Sequence, residues 1–433
     1  MKDERLELVK IFLRWQKSLY INRILEEKPL SPFILFHARG VVENLLYLDH
    51  AMAPFVRNDP GPEARWILRL AFHELLFSEK CEDYAVTHEA VRLASRLSPS
   101  KKGFINAVIR NFLRQKKAVP LPRDEVEALS LRFSLPLWIT RLLADQYGVG
   151  ALEGILDYSR RRRDYDIRIN LELTDHASYK KLLEEASVSF TEWPEGWEGA
   201  FRIFGHQRLP DLPGYEEGLF FVQDLGAQIA ASLLLPARES VLDVGSAPGG
   251  KLMFLAPFLG GADVEALDIS SRRIRRLSEN LRRLRISLPR LTVCDFLKYE
   301  PRRQYSGIFL DVPCSGLGVL SKKCDIAYRL TPGGLNSLKS IQRDFLDKAL
   351  ALLAPGGEMV YSTCTINQEE NTGQVEAFLS RHGANVRLVD PSGRKHLNHL
   401  PFHDIVFRQG VYQSLPPDFP GDGMFGAVIQ RRA

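Results

Sequence analysis

The chain has 433 residues, 45% of them hydrophobic and 26% charged, with a net charge of +5 at pH 7. That is an ordinary globular balance with length for two or three domains. Five scattered cysteines exclude a disulfide framework, no Cys-x-x-Cys pair or His cluster offers a metal site, and neither a signal peptide nor a membrane-spanning run is present, so a cytoplasmic protein with free thiols is expected.

Residues 1–145 read as an all-α domain. "EARWILRLAFHELLF", "THEAVRLASRL" and "KGFINAVIRNFLRQKK" repeat apolar residues at three- and four-residue spacing. Pro120 and Pro122 interrupt the pattern before one more helix, "LPLWITRLLADQYG". Residues 146–235 read as a mixed α+β connector: the basic run "YSRRRR" passes into alternating "DIRIN", and turn-rich stretches lead to "LFFVQDLGAQIAASLLL". From 236 to 433 the rhythm is strand, loop, helix. "VLDV", "DVEALD", "RLTVCD", "GIFLDV" and "GEMVYST" are the predicted strands, with helical patterns such as "SRRIRRLSENLRRLR" between them. This alternation predicts an α/β fold, a doubly wound and mostly parallel sheet of Rossmann-like class. Ligands in such sheets bind at the carboxyl ends of the strands, where Asp243, Asp268, Asp295, Asp311 and Cys364 fall.

"VLDVGSAPGGK" is a strand, a glycine-rich turn and a helix start. Gly245, Gly249 and Gly250 permit close backbone approach to a ligand. The loop Gly245–Lys251 nearly matches a phosphate loop, but Leu252 stands where Ser or Thr must hold magnesium, and Pro248 removes a backbone donor. Asp268 ends the second strand, where nucleotide-binding folds place an acid for ribose hydroxyls, and Asp295 ends the third. The set suits an adenosine ligand without a triphosphate, and S-adenosylmethionine fits. Taken singly, each Asp reads equally well as a helix cap.

"DVPCSG" follows the fourth strand and "YSTCT" ends the fifth. Amine methyltransferases place an aromatic residue after Asp-Pro-Pro or Asn-Pro-Pro to stack on the base, and Cys314 cannot stack. Carbon 5 of a pyrimidine needs other help. A thiolate adding to carbon 6 makes carbon 5 nucleophilic, an acid such as Asp311 steadies the charge near ring nitrogen 3, and the proton on carbon 5 must then leave. The attacking thiol must ionise, from an ordinary pKa of about 8.5. Either Cys314 or Cys364 could attack, the other assisting proton removal or expulsion. Cys81 and Cys294 read as buried small hydrophobes and Cys324 as a loop residue.

"DVPCSGLGVL", "YSTCTINQEEN" and "GSAPGGK", with "FVQDLGAQIAASLL", "SIQRDFLDKALALLAPGGEMVYSTCT" and "DGMFGAVI", resemble the Sun-type RNA cytosine-C5 methyltransferases. "KGFINAVIRNFLR" and "ILRLAFHELLF" resemble the NusB-like helical domain fused in front of the bacterial rRNA-modifying members. The resemblance implies that Cys364 is the nucleophile and Cys314 aids product release, with Asp311 as third catalytic residue. It assigns cofactor contacts to Gly245, Ser246, Ala247, Pro248, Gly249, Gly250, Lys251, Asp268, Asp295 and Asp311, and no metal. It implies S-adenosylmethionine as donor and a cytosine of small-subunit (16S) rRNA as substrate for a cytoplasmic monomer. Gly245, Ser246, Leu252 and Cys324 depart from the family's usual residues.

Arg160, Arg161, Arg162, Arg163, Arg168, Lys101, Lys102, Arg110, Arg114, Lys116 and Lys117 are candidate phosphate contacts, while "SRRIRRLSENLRRLR" reads as a solvated face. The target cytosine must be flipped or unpaired to meet a thiolate. His73, His88 and His382 read as surface or capping residues. The competing readings are the same chemistry on tRNA, a non-catalytic RNA-binding assembly factor, and a P-loop nucleotidase.

Overall fold

The computed structural model describes residues 3–17, 20–78, 81–161, 164–194, 196–205, 208–236, 238–287, 289–301 and 303–433. They form two compact units, one of Met1–Asp157 with Lys322–Arg329, the other of Tyr158–Ser321 with Leu330–Ala433.

The first unit is helical. Three of its helices start where side chains satisfy first-turn N–H groups: Asp3 accepts from Leu6, Ser31 from Ile34 and Asp124 from Glu127. Proline opens helices Pro32–Glu43 and Pro62–Phe77, where its missing N–H costs nothing. Helix Lys102–Arg114 buries Ile105, Val108, Ile109 and Phe112, an i, i+3, i+4, i+7 pattern that lays one apolar stripe on the core. There Phe12 stacks on Trp66 at 5.0 Å and Phe72 on Phe112 at 4.3 Å. Each such fully buried side chain contributes about 1.5–3 kcal/mol.

The eight-residue segment Lys322–Arg329 belongs to this unit although it lies far along the chain. Asp325, 1% exposed, accepts the Trp15 indole N–H at 2.8 Å and the Ile21 backbone N–H at 2.7 Å. The Tyr328 hydroxyl lies 3.0 Å from the Val42 carbonyl and 2.8 Å from that of Ser134. Cys324 and Tyr328 pack against the helical core, and burial pushes the Cys324 thiol up.

His73 is not the surface or capping residue expected. It is buried, with its Nδ1 3.1 Å from Nδ1 of His37. Burial lowers the pKa of His37 to about 4 and that of His73 to about 3, so both rings stay neutral and one donates to the other. Gly40 makes room: a Cβ there would lie 2.2 Å from the His73 ring.

The second unit opens with an antiparallel sheet of β1 (Tyr165–Ile169), β2 (Phe190–Glu192), β3 (Ala200–Ile203) and β4 (Phe220–Val222), in the order β2-β3-β1-β4. Arg168 on β1 is not a phosphate contact. It is buried 4.8 Å from the Phe254 ring, donates to the Glu198 carbonyl at 2.5 Å, and burial lowers its pKa to about 10.

The larger sheet has nine strands among the described residues. β5 (Ser240–Val244), β6 (Asp263–Asp268), β7 (Arg290–Val293), β8 (Tyr305–Asp311) and β9 (Leu353–Thr363) are parallel in the order β9-β8-β5-β6-β7. β10 (Val386–Val389), β11 (Phe407–Arg408), β12 (Val411–Ser414) and β13 (Met424–Arg431) extend it antiparallel beyond β9. Side chains alternate between two cores. Ile308 and Leu310 face the helices Pro332–Leu352 and Thr372–His382, while Phe309 faces the helices Gly250–Leu255 and Ser271–Arg283. This is the doubly wound Rossmann-like arrangement expected. The chain leaves β5 toward β6 and β7, then returns to β8 and β9 on its other side, so strand order reverses between β5 and β8. A ligand crevice belongs at that switch point. No helix among the described residues is long and apolar enough to cross a membrane.

Candidate active site

The loop after β5 is shaped by two glycines at positive φ. Gly245 (φ 74°) presses on β8, where a Cβ would sit 2.4 Å from the Asp311 carbonyl oxygen. Gly249 (φ 110°) caps helix Gly250–Leu255, and a Cβ there would meet the Leu277 side chain at 2.4 Å. Leu252 is 2% exposed in the apolar core, so no hydroxyl stands where a nucleotidase holds magnesium.

Around this loop lie buried polar atoms without partners. Neither carboxylate oxygen of Asp243 (1% exposed) is hydrogen-bonded. Burial pushes its pKa up to about 7, against the pull of the Ser246 hydroxyl and the Lys251 ammonium. The Ser246 hydroxyl closes no hydrogen bond either. Both amide atoms of the buried Gln223 are unpartnered, and its Nε2 lies 3.7 Å from where a Gly250 Cβ would be. Orphaned buried groups cost about 1–3 kcal/mol each, and clustered at a glycine loop they mark a ligand cradle.

At the end of β6, the carboxylate of the buried Asp268 accepts the Ser270 N–H at 2.9 Å and pairs with Arg273 through both oxygens. Asp295 caps the short turn after β7, accepting the Leu297 N–H at 3.1 Å. The capping reading therefore holds for Asp295, while the helix after Asp268 is capped by Ser270, whose hydroxyl accepts the Arg273 N–H. Yet apolar Ile269, Val293 and Leu297 are exposed beside these acids, and Val293 pairs with Asp268 across the strands. Apolar side chains flanking two carboxylates suit a purine nucleoside.

Asp311 ends β8 and pairs with Lys251 at 2.6 Å. Burial opposes the Lys251 charge, but Asp311, Cys364 and Asp243 hold the ammonium above the ordinary lysine range. The Cys314 and Cys364 sulfurs stand 3.4 Å apart. Their loops are laced together: Val312 donates to the Ser362 carbonyl at 3.2 Å and Gly318 to the Cys364 carbonyl at 3.1 Å. The hydrogen bond with Cys364, burial and the Glu370 charge raise the Cys314 pKa well above the thiol range.

Glu370, 0% exposed, joins the two loops. One oxygen accepts the Ser315 N–H at 2.8 Å and the Gln342 amide at 3.0 Å. The other accepts the Ser315 hydroxyl at 2.5 Å and the Asn367 amide at 3.0 Å. The structure thus gathers Gly245, Ser246, Lys251, Asp243, Asp311, Cys314 and Cys364 at the switch point, with Asp268 and Asp295 along the same strand edge.

The family model described as 16S rRNA methyltransferase RsmB/F matches residues 230–430, and that of the NusB family matches residues 2–114. Ribosomal RNA small subunit methyltransferase B of Vibrio cholerae is 31% identical over 375 residues, covering 85% of this chain and 81% of the relative. The chain belongs to the RsmB/F methyltransferase family. A probable ribosomal RNA small subunit methyltransferase B of Bacillus subtilis is 30% identical, covering 96% of each chain. The crystal structure of PH0851 shares the fold with a TM-score of 0.81 at 22% identity, covering 99% of both chains.

As a methyltransferase of the RsmB/F family, the protein uses S-adenosylmethionine. The residues present fit that cofactor. The orphaned groups of Asp243, Ser246 and Gln223 offer donors and acceptors to a zwitterionic amino-acid end, and the Asp268 and Asp295 edge offers acids and apolar surface to an adenosine. In this RsmB/F-family site, the sequence reading missed Gln223 and Glu370. "VQDLGAQ" and "NQEEN" contain them without any signal of which polar residue turns inward.

Gln223→Ala should therefore weaken S-adenosylhomocysteine about tenfold, as for one hydrogen bond to a charged group, while leaving methylthioadenosine, which lacks the amino-acid end, unaffected. Calorimetry with both ligands checks this, and equal weakening of the two would assign Gln223 a purely structural role.

Proposed function

We propose that this RsmB/F-family protein methylates carbon 5 of a cytosine in small-subunit (16S) rRNA through a covalent cysteine–cytosine intermediate, working as a cytoplasmic monomer. The observation that carries the reading is the thiol pair, 3.4 Å apart beside the Lys251–Asp311 ion pair. Two adjacent thiols have no use in transfer to an amine or hydroxyl, whereas carbon 5 needs one to attack and benefits from one to release.

S-adenosylmethionine bound at the glycine loop supplies an electrophilic methyl group. Cys364 attacks carbon 6, as the resemblance to the Sun-type enzymes implies, and the electrostatics agree. Lys251 stands close enough for the Cys364 charge to strengthen its ammonium, while the hydrogen bond with Cys364, burial and the Glu370 charge raise the pKa of Cys314. Asp311 is the group for ring nitrogen 3. Water takes the proton from carbon 5, the C–H electron pair restores the carbon 5–carbon 6 double bond, and the Cys364 sulfur leaves with the C–S pair as a thiolate that a protonated Cys314 stabilises by donating to it. The NusB-like helices of residues 1–145 act as an RNA-binding part, offering Lys101, Lys102, Arg110, Arg114 and Lys116, while Arg160 and Arg161 belong to the second unit. Lys117 is engaged by Asp83 at 2.7 Å, and Arg162 and Arg163 lie outside the described residues.

Incubation with methyl-labelled cofactor and small-subunit rRNA, followed by digestion to nucleosides, should place the label in 5-methylcytosine. Label in another nucleoside, or only in tRNA supplied alongside, would overturn the substrate or the chemistry.

A further inference from the structure

Helix Ser271–Arg283 carries six arginines against the single acid Glu279. Its net charge of +5 equals that of the whole chain, so the remaining residues sum to neutrality. Two of these arginines serve the fold: Arg273 pairs with Asp268, and Arg283 donates to the Tyr215 carbonyl at 2.7 Å and the Phe220 carbonyl at 3.1 Å. Arg272, Arg275, Arg276 and Arg282, with Arg285 just beyond, are exposed, and their guanidinium groups form no hydrogen bond or ion pair among the described residues. The opposite face buries Ile274, Leu277 and Leu281.

Such an arrangement weakens an isolated helix. Like charges three and four residues apart, as at Arg272, Arg275 and Arg276, cost about 0.2–0.5 kcal/mol per pair, and cations in the first turn oppose the helix dipole. A face needed only for solubility gains more from interleaved signs. The stripe from Arg272 to Arg285 runs about 20 Å at 1.5 Å per residue. Its start lies at the carboxyl edge of the sheet, three residues after Asp268.

We propose that this arginine face is an RNA-binding surface of the methyltransferase unit, taking backbone phosphates of the substrate strand beside the catalytic crevice. It rests on the reading of an RNA substrate and adds to it where RNA is held outside the NusB-like helices. Contacts to backbone phosphates carry no base identity, so the contribution is independent of sequence and depends on salt.

The test is the full-length protein with Arg272, Arg275, Arg276 and Arg282 changed to Gln, titrated with a small-subunit rRNA fragment across a salt series. Each lost single-strand phosphate contact lowers the slope of log affinity against log salt by about 0.7, so a drop of about 2–3 is expected, with at least tenfold weaker binding at low salt. The matching four-fold Lys variant should keep the wild-type slope, and S-adenosylhomocysteine affinity should be unchanged in both. If the Gln variant fails to fold, R275Q/R276Q and R272Q/R282Q should each lose about 1.4 from the slope. An unchanged slope and affinity in folded variants would overturn the proposal. Methyl transfer by the wild type is measured on the same RNA. Salt-dependent binding without transfer would count against the proposed reaction and leave this surface standing.

Discussion

Cys364→Ala should lose methyl transfer altogether, while Cys314→Ala should retain attack and accumulate a covalent protein–RNA adduct. Loss of a covalent nucleophile costs on the order of 10⁶ in rate, because no neighbouring group inherits its role. Cys314 cannot substitute. The hydrogen bond with Cys364, burial and the Glu370 charge all raise its pKa, which disfavours the thiolate there. Cys314 matters after the methyl has moved. Then the Cys364 sulfur must leave carbon 6 as a thiolate, and a donor 3.4 Å away stabilises that charge. Without it attack proceeds and departure slows, so RNA should co-migrate with the Cys314→Ala protein on a denaturing gel. The adduct should require cofactor and vanish in the double variant. An adduct in Cys364→Ala instead would reverse the two roles.

The half of the site that rests on local pattern was legible in the sequence. Each parallel strand is a short apolar run flanked by turn residues, and the polar residue at its carboxyl end falls at the ligand edge wherever such a sheet forms. Asp243, Asp268, Asp311 and Cys364 could be placed for that reason. The antiparallel extension was not legible. β10 pairs with β13 and β12 with β13 through partners 10–45 residues apart, in short runs bounded by Gly and Pro. The segment Lys322–Arg329 was hidden for a similar reason. Asp325 meets the Trp15 indole across 310 residues, and nothing local separates it from an ordinary loop acid. Glu369 and Glu370 make the point most sharply. They are sequence neighbours of one residue type, yet Glu369 reaches out to Lys339 at 2.6 Å while Glu370 is wholly buried. The turn Gln368–Glu370, capped by Asn367, decides which of them faces inward.

That difference supports the second large effect. Glu370→Gln should reduce turnover by at least about 100-fold with S-adenosylhomocysteine affinity intact, whereas Glu369→Gln should change neither. The glutamate presents two acceptor oxygens to four donors: the Ser315 N–H, the Ser315 hydroxyl, and the amides of Gln342 and Asn367. Glutamine has the same shape but turns one oxygen into an NH₂ group that confronts two donors. Each donor left unpaired in a buried site costs about 1–3 kcal/mol, and the strain falls on the loops that set the distance between the sulfurs. A displacement of about 1 Å in such a pair suffices for a hundredfold loss. A second readout separates charge from mere support. An anion beside a thiol disfavours its thiolate and raises its pKa, so removing the Glu370 charge lowers the Cys314 pKa. The pH profile of Cys314 alkylation, followed by mass spectrometry, should therefore shift to lower pH in Glu370→Gln. Full turnover together with an unshifted profile would leave Glu370 as packing alone.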